Sequence, residues 1–415
     1  MPNALCRRRE TCRLCGSDDL ALAIALAPTP PANAFVDDPA TQQSTYPLDV
    51  FFCNACTHVQ LLDVVDPREL FENYVYVSGT SPVFVAHFRR YAEHVIESYA
   101  PTHSGPARVL DIGSNDGTLL SCFKDLGCTV LGVDPARDIA EAATARGIET
   151  VTDFFSPDVA AKLRTAQGAF DVITANNVFA HADDLDGIAA GIATLLADDG
   201  VFVFEVSYLL DVIEHCLFDT IYHEHVAYHA LTPLVGFFKK HGLHLIDAER
   251  VDTHGGSLRG TVARIGSSHD VKGRVAEMVA LEHTCGLNTL ETYHAFAGKI
   301  DSLRDALTGL LTELKAGGAK IAAFGAPAKA TTLMYHFAIG PELIDFVVDD
   351  STLKQGLFTP GLHIPVVPSD HMYDQNPDYV VVLAWNFADA IIAKHQKFRD
   401  NGGRFIVPIP ELKVV

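Results

Sequence analysis

The 415 residues amount to about two or three common domains, and an apolar fraction of 48% is ample for real cores, which excludes both a small stapled scaffold and wholesale disorder. Lys and Arg number 31 against 52 Asp and Glu, a formal charge of −21 with no long basic run, which argues against nucleic acid and against an anionic membrane surface as partners. No apolar run reaches the roughly 18 residues of a membrane span, and Met1 to Leu14 is polar and Arg-rich without the apolar segment of a secretory signal, so the expected compartment is the cytoplasm.

Two C-x-x-C knuckles open the chain, Cys12-Arg-Leu-Cys15-Gly16 and Cys53-Asn-Ala-Cys56. Each presents two thiolates from one tight turn, and four thiolates close a tetrahedral zinc site with no open position, so Cys12, Cys15, Cys53 and Cys56 predict a structural metal. The 37 residues between the knuckles must carry short strands of their own, expected around Tyr46 to Phe52. His58 is a spare ligand candidate. A redox C-x-x-C and four unrelated thiols are the alternatives.

From Arg108 a short apolar strand opens into Asp111-Ile-Gly113-Ser-Asn115-Asp116-Gly117 and then a helix, and a second strand, Thr129 to Val133, ends in Asp134. This is a βαβ unit with an acid placed for a ribose. The turn is D-x-G-x-x-x-G without a dense glycine cradle, and it stands beside a carboxylate. It therefore suits a cationic amino-acid end better than a pyrophosphate, which is the chemistry of S-adenosylmethionine. Later strands agree in order. One near Glu149 to Thr152 ends in Asp153-Phe154, suited to adenine, and another, Phe170 to Ala175, ends in Asn176-Asn177 and leads to His181. A fifth, Gly200 to Val206, precedes a long excursion, and a helix and a closing hairpin, Leu243 to Val251 with Leu258 to Ile265, complete the unit. The pattern resembles the class I methyltransferase fold, with a Rossmann-like unit for another ligand as the alternative.

The excursion carries Tyr222-His223-Glu224-His225 where the reactive end of a cofactor would lie. If extended, His223 and His225 share a face, so a metal site and a plain capping loop stay open beside acid/base chemistry. Methylation at carbon beside a ketone needs a base and an enolate stabiliser. His225 as base, Tyr222 as donor and Glu224 orienting the imidazole fill those roles, with His181 and Tyr76 as further members.

Beyond Ser268 an apolar face from Phe296 to Leu314 predicts a helix ending at Gly317-Gly318. Then Ile321 to Gly325 opens a second strand-turn-helix, with further strands at Ile344 to Val348, Tyr379 to Ala384 and Arg404 to Val407. Lys329 at that helix start suits a pyrophosphate, Arg259 completes a local cationic pocket, and Trp385, the single tryptophan, stands where a ring could pack on a base or sugar.

The expected fold class is α/β: a zinc-binding domain (1–68), a class I methyltransferase domain (69–268) and a C-terminal Rossmann-like domain (269–415). With Tyr74-Val-Tyr76-Val-Ser-Gly-Thr-Ser81, Leu110 to Gly117, Tyr222 to His225 and Gly255-Gly-Ser-Leu-Arg259, this order resembles the sugar C-3'-methyltransferases of antibiotic deoxysugar pathways. The likeness is greatest to those acting toward the nitrosugar tetronitrose. The resemblance implies S-adenosylmethionine as methyl donor, a dTDP-linked 4-keto-sugar as substrate, catalytic roles for Tyr222, Glu224 and His225, and Ser81 among the substrate residues. An O- or N-methyltransferase, a nucleotide-sugar oxidoreductase built on the Gly325 unit and a silent zinc-organised binding module are the competing readings.

Overall fold

The computed structural model describes residues 5–71, 79, 82–99, 101, 103–253 and 255–415; Tyr76 and Ser81 lie outside the described residues. The centre is a seven-stranded sheet. Its strands are β1 (Arg108–Ile112), β2 (Thr129–Val133), β3 (Thr150–Val151), β4 (Phe170–Asn176), β5 (Leu196–Ser207), β6 (Leu243–Val251) and β7 (Ser257–Arg264). Their order across the sheet is β6-β7-β5-β4-β1-β2-β3, with β7 antiparallel to both neighbours and β1 to β5 parallel.

Strands covered on both faces read as continuous apolar runs, and β5 shows how one run feeds two cores. Val201 and Val203 face the helices Pro82–Tyr99 and Thr118–Asp125, packing with Phe88, Tyr91, Leu119 and Phe123. Phe202 and Phe204 point the other way and stack with Phe179 and Phe238, ring centroids 5.7 to 6.2 Å apart. Each such aromatic pair adds about 0.5–1.5 kcal/mol beyond the area it buries.

The strands of the N-terminal segment, Leu20–Ile24, Val50–Cys53 and Val59–Leu61, pair antiparallel. Their sheet is completed by Ala227–Tyr228, which comes from the excursion after β5, so the zinc segment and that excursion share one hydrogen-bonded ladder. In the C-terminal third the long helix begins at Leu290, six residues before the expected apolar face, and runs to Ala316 with Phe296, Ile300, Leu307 and Leu311 buried. A six-stranded sheet follows: β8 (Ile321–Phe324), β9 (Val347–Val348), β10 (Val366–Val367), β11 (Tyr379–Val382), β12 (Arg404–Val407) and β13 (Lys413–Val414), in the order β10-β9-β8-β11-β12-β13. It is parallel except for β13.

Helix Gly273–Thr284 ties this third to the centre at both ends, with Arg274 Nε donating to Asp247 of β6 at 3.0 Å and Glu282 serving the other end. Glu282 is buried, and its carboxylate accepts the N–H groups of Leu231 (2.6 Å) and Thr232 (2.8 Å) at the start of helix Leu231–Lys240, and the Tyr208 hydroxyl (2.9 Å). A carboxylate there satisfies two orphan donors and complements the helix dipole.

Candidate active site

The turn after β1 is built for close approach. Gly113 and Gly117 have φ of 69° and 76°, and a Cβ on Gly113 would fall 2.4 Å from Val178 Cγ2. Asp134, at the end of β2, holds the turn by accepting Asn115 N–H (2.8 Å) and Ala136 N–H (2.9 Å). Asp111 lies buried beneath, accepting the Thr174 hydroxyl at 2.6 Å, and burial pushes its carboxyl up to about 7. Asp116 accepts the Thr118 hydroxyl (2.6 Å), and a Cβ on Gly79 would lie 2.6 Å from Asp116 Oδ2, so Gly79 lies against this turn. Asp153 and Phe154 follow β3, and Asn176 ends β4 with Asn177 just after it, its N–H donating to Glu205 C=O at 2.7 Å. All ten expected cofactor residues thus lie at the carboxyl ends of β1 to β4, on a carboxylate-rich rim. The rim fits a ligand carrying an ammonium and a sulfonium.

Tyr222 to His225 is a turn, not an extended strand: His225 N–H donates to Tyr222 C=O at 2.8 Å. The Tyr222 and His225 rings therefore meet, centroids 4.2 Å apart, while His223 and Glu224 point to the N-terminal segment. His223 faces the carbonyls of Tyr46 and Pro47 (3.3 and 3.2 Å), so it does not share a face with His225. Glu224 accepts the Asn33 amide at 2.8 Å, and burial raises its carboxyl to about 7. The partner of His225 Nδ1 is the Thr220 carbonyl, at 2.7 Å. That corrects the orienting role expected of Glu224. A carbonyl has no proton to give, so Nδ1 carries the hydrogen and Nε2 the basic lone pair.

His181 joins this pair, its ring 4.9 Å from that of His225, because Ala180 C=O accepts the N–H groups of Val226 (3.0 Å) and Ala227 (3.1 Å). Burial, and then the neighbouring His225, hold His181 well below the usual imidazole range, so it is neutral. The loops after β4 and β5 are thus sewn together, with three rings at the junction.

Arg259 does not line a substrate pocket. Its guanidinium is buried and spent on Glu205 (2.9 Å), Glu249 (2.8 Å) and the face of Tyr91 (4.6 Å), and Glu205 also engages His87 at 2.9 Å. The signal for this network was Glu205 itself, a carboxylate inside the apolar run of β5. Lys329 lies 3.7 Å over the Trp385 ring and donates to Asn386 at 2.8 Å; burial lowers its pKa. The Trp385 N–H donates to buried Asp219 at 2.6 Å, a residue sequence reasoning passed over because nothing in its spacing marks it. The first turn of helix Ala328–His336 is packed rather than open: Thr331 and Thr332 donate to Ala32 C=O and Ile221 C=O at 3.0 and 2.7 Å.

In the N-terminal segment Cys12 Sγ lies 3.6 Å from Cys56 Sγ and Cys15 Sγ 3.6 Å from Cys53 Sγ, with all four sulfurs within 4.8 Å of one another. A tetrahedral site with Zn–S bonds of about 2.3 Å has S···S edges of about 3.8 Å, whereas a disulfide needs about 2.05 Å. The donor set fits zinc. His58 is not part of it; fully buried, its ring packs against that of His229 at 5.6 Å.

Three family models cover the chain in sequence: "Putative zinc binding domain" over residues 12–71, "Methyltransferase domain" over 84–248 and "C-methyltransferase C-terminal domain" over 252–410. The C-methyltransferase NovU of Streptomyces niveus is 36% identical over 408 residues, spanning 98% of this chain and 97% of NovU. The chain belongs to the C-methyltransferase family. A ubiquinone biosynthesis O-methyltransferase of Colwellia psychrerythraea is similar over a smaller part, 25% identical over 156 residues, 35% of this chain and 63% of that one. The S-adenosylmethionine-bound magnesium protoporphyrin IX methyltransferase of Synechocystis PCC 6803 overlaps 44% of this chain and 82% of its own, with 14% identity and a TM-score of 0.33, too slight a likeness to bear on chemistry. This C-methyltransferase uses S-adenosylmethionine as methyl donor and carries a structural zinc site. Among the described residues no helix is long and apolar enough to cross a membrane.

Proposed function

We propose that this C-methyltransferase transfers a methyl group from S-adenosylmethionine to C3' of a dTDP-linked 4-keto deoxysugar in antibiotic sugar biosynthesis. The favoured substrate is a dTDP-3-amino-2,3,6-trideoxy-4-keto-hexose, and the compartment is the cytoplasm. The observation that carries the reading is the His225 imidazole: held by the Thr220 carbonyl, it offers Nε2 as base beside the rings of Tyr222 and His181. The methyl donor supplies an electrophilic methyl on a sulfonium when bound. The ketone at C4' acidifies the C3' hydrogen, His225 Nε2 takes that proton, and the Tyr222 hydroxyl donates to the enolate oxygen. Neutral His181 keeps a second positive charge away from the imidazolium as it forms. Asp111, Gly113, Asn115, Asp116, Gly117, Asp134, Asp153, Phe154, Asn176 and Asn177 would hold the donor.

The nucleotide falls to the C-terminal third, with Lys329 as the cation for the diphosphate; with Arg259 committed elsewhere, it stands without a guanidinium partner in that role. Tyr76 and Ser81 remain assigned to the site by motif alone. The test is product analysis with methyl-13C-labelled donor and a dTDP-linked 4-keto-6-deoxyhexose. The expected product has a C-methyl group at C3', and a methyl on oxygen or nitrogen would contradict the assignment.

A further inference from the structure

The turn that holds His225 is itself held by another part of the chain. Phe218–Thr220 is a single helical turn ending in the carbonyl that receives His225 Nδ1–H. Ring and hydrogen-bond contacts fix it to the C-terminal third, Phe218 also meeting the His336 ring edge-on at 5.9 Å. Phe218 stacks on Phe337 with centroids 5.0 Å apart, Thr332 donates to Ile221 C=O at 2.7 Å, and Asp219 accepts the Trp385 indole N–H at 2.6 Å. The last is the shorter of the two hydrogen bonds. Asp219 is 0% exposed, and its Oδ1 has no hydrogen-bond partner among the described residues. A fully buried carboxylate with one oxygen unsatisfied is a costly thing to keep for packing alone. Trp385 in turn lies under the Lys329 ammonium, so the same indole touches the cation assigned to the substrate and the acid beside the catalytic turn.

We propose that Asp219 is a positioning residue for His225. Its bond to Trp385 fixes the turn whose Thr220 carbonyl selects the Nδ1–H tautomer, so that Nε2 is basic only while the C-terminal third is docked. The inference rests on the reading of His225 as base, and it predicts two effects of breaking the bond. The imidazole loses its single tautomer, and proton abstraction slows while donor binding stays intact.

The experiment uses the zinc-loaded full chain with S-adenosylhomocysteine bound. Parent, Asp219→Ala, Asp219→Asn and Trp385→Phe are compared, the Asn variant keeping an oxygen that can accept the indole N–H. The His225 nitrogen signals in 15N-histidine-labelled protein are identified by their loss in His225→Asn. Deuterium wash-in at C3' of a dTDP-linked 4-keto-6-deoxyhexose is measured on the same samples. Asp219→Ala and Trp385→Phe should show His225 as a mixture of tautomers and exchange slowed at least about tenfold. Their S-adenosylhomocysteine affinity should stay within about twofold of the parent, which also reports an intact fold. Asp219→Asn should recover most of both signals. Unchanged His225 signals in Asp219→Ala and Trp385→Phe overturn the proposal. A parent that shows the single tautomer but no exchange refutes the base assignment instead, leaving the nitrogen signals to decide whether Asp219 positions the ring.

Discussion

At the scale of single residues, the chemistry turns on which partner each polar group has taken. The motif Tyr222 to His225 marked a candidate site, but its geometry depends on a bond between Tyr222 C=O and His225 N–H that pairs the first and last residues and sends the middle two away. A reader of sequence sees four adjacent polar side chains; only the turn separates them into two rings for the site and two groups for the N-terminal segment. Arg259 misled for a related reason, since its two carboxylate partners, Glu205 and Glu249, lie far apart in sequence and meet across neighbouring strands. Asp111 was expected at the cofactor turn from its place before the glycines, and it lies buried beneath that turn. Its folded value of about 7 lies above that of an unfolded aspartate, so it contributes stability at low pH that is lost as pH rises through 7. A cationic ligand inverts the preference, since binding favours the carboxylate. The affinity for S-adenosylhomocysteine, measured by calorimetry, should therefore be about tenfold weaker at pH 6 than at pH 8, reaching a plateau above 7. In Asp111→Asn it should be weaker throughout and lack that dependence.

At the scale of elements, the strands and helices were largely legible from periodicity, and the links between them were not. The C-x-x-C spacing announced the metal, yet nothing in it announced that Val59–Gln60 would pair with Ala227–Tyr228, two residues past His225. Because of that ladder, removing zinc should loosen the loop that carries His225 as well as the N-terminal segment. Chelation, or Cys53→Ser, is expected to release one zinc per chain, to lower the melting temperature, and to raise amide hydrogen exchange at 226–229 alongside 50–61. Protection at 226–229 that survives zinc loss would show the ladder to be independent of the metal. Glu282 makes the same point for the C-terminal third, being one carboxylate in an otherwise ordinary helix that caps another helix 50 residues upstream. Glu282→Gln should cost about 2 kcal/mol in urea unfolding, since an amide can accept from only one of the two N–H groups and brings no charge to the helix start.

At the scale of the whole molecule, three segments converge on one short loop. The N-terminal segment meets it through Asn33 and Glu224, the central sheet through Ala180 and Val226, and the C-terminal third through Trp385 and Asp219. The order of segments could be read from the chain, since cysteine pairs, a glycine turn with a following acid, and a second strand-turn-helix are local signals. Their convergence could not, because it is made by contacts such as Thr332 to Ile221 C=O, 111 residues apart, between groups whose local sequence is unremarkable. The His225 imidazole thus sits in a loop that all three segments hold, while its Nδ1 partner, the Thr220 carbonyl, belongs to the loop itself. The most direct measurement is deuterium wash-in at C3' of a dTDP-linked 4-keto-6-deoxyhexose with S-adenosylhomocysteine in place of the donor. Enzyme-dependent exchange is expected in the parent, and its loss by a factor of about 100 or more in His225→Asn. Exchange at the same rate in both proteins, or none in the parent, would contradict it.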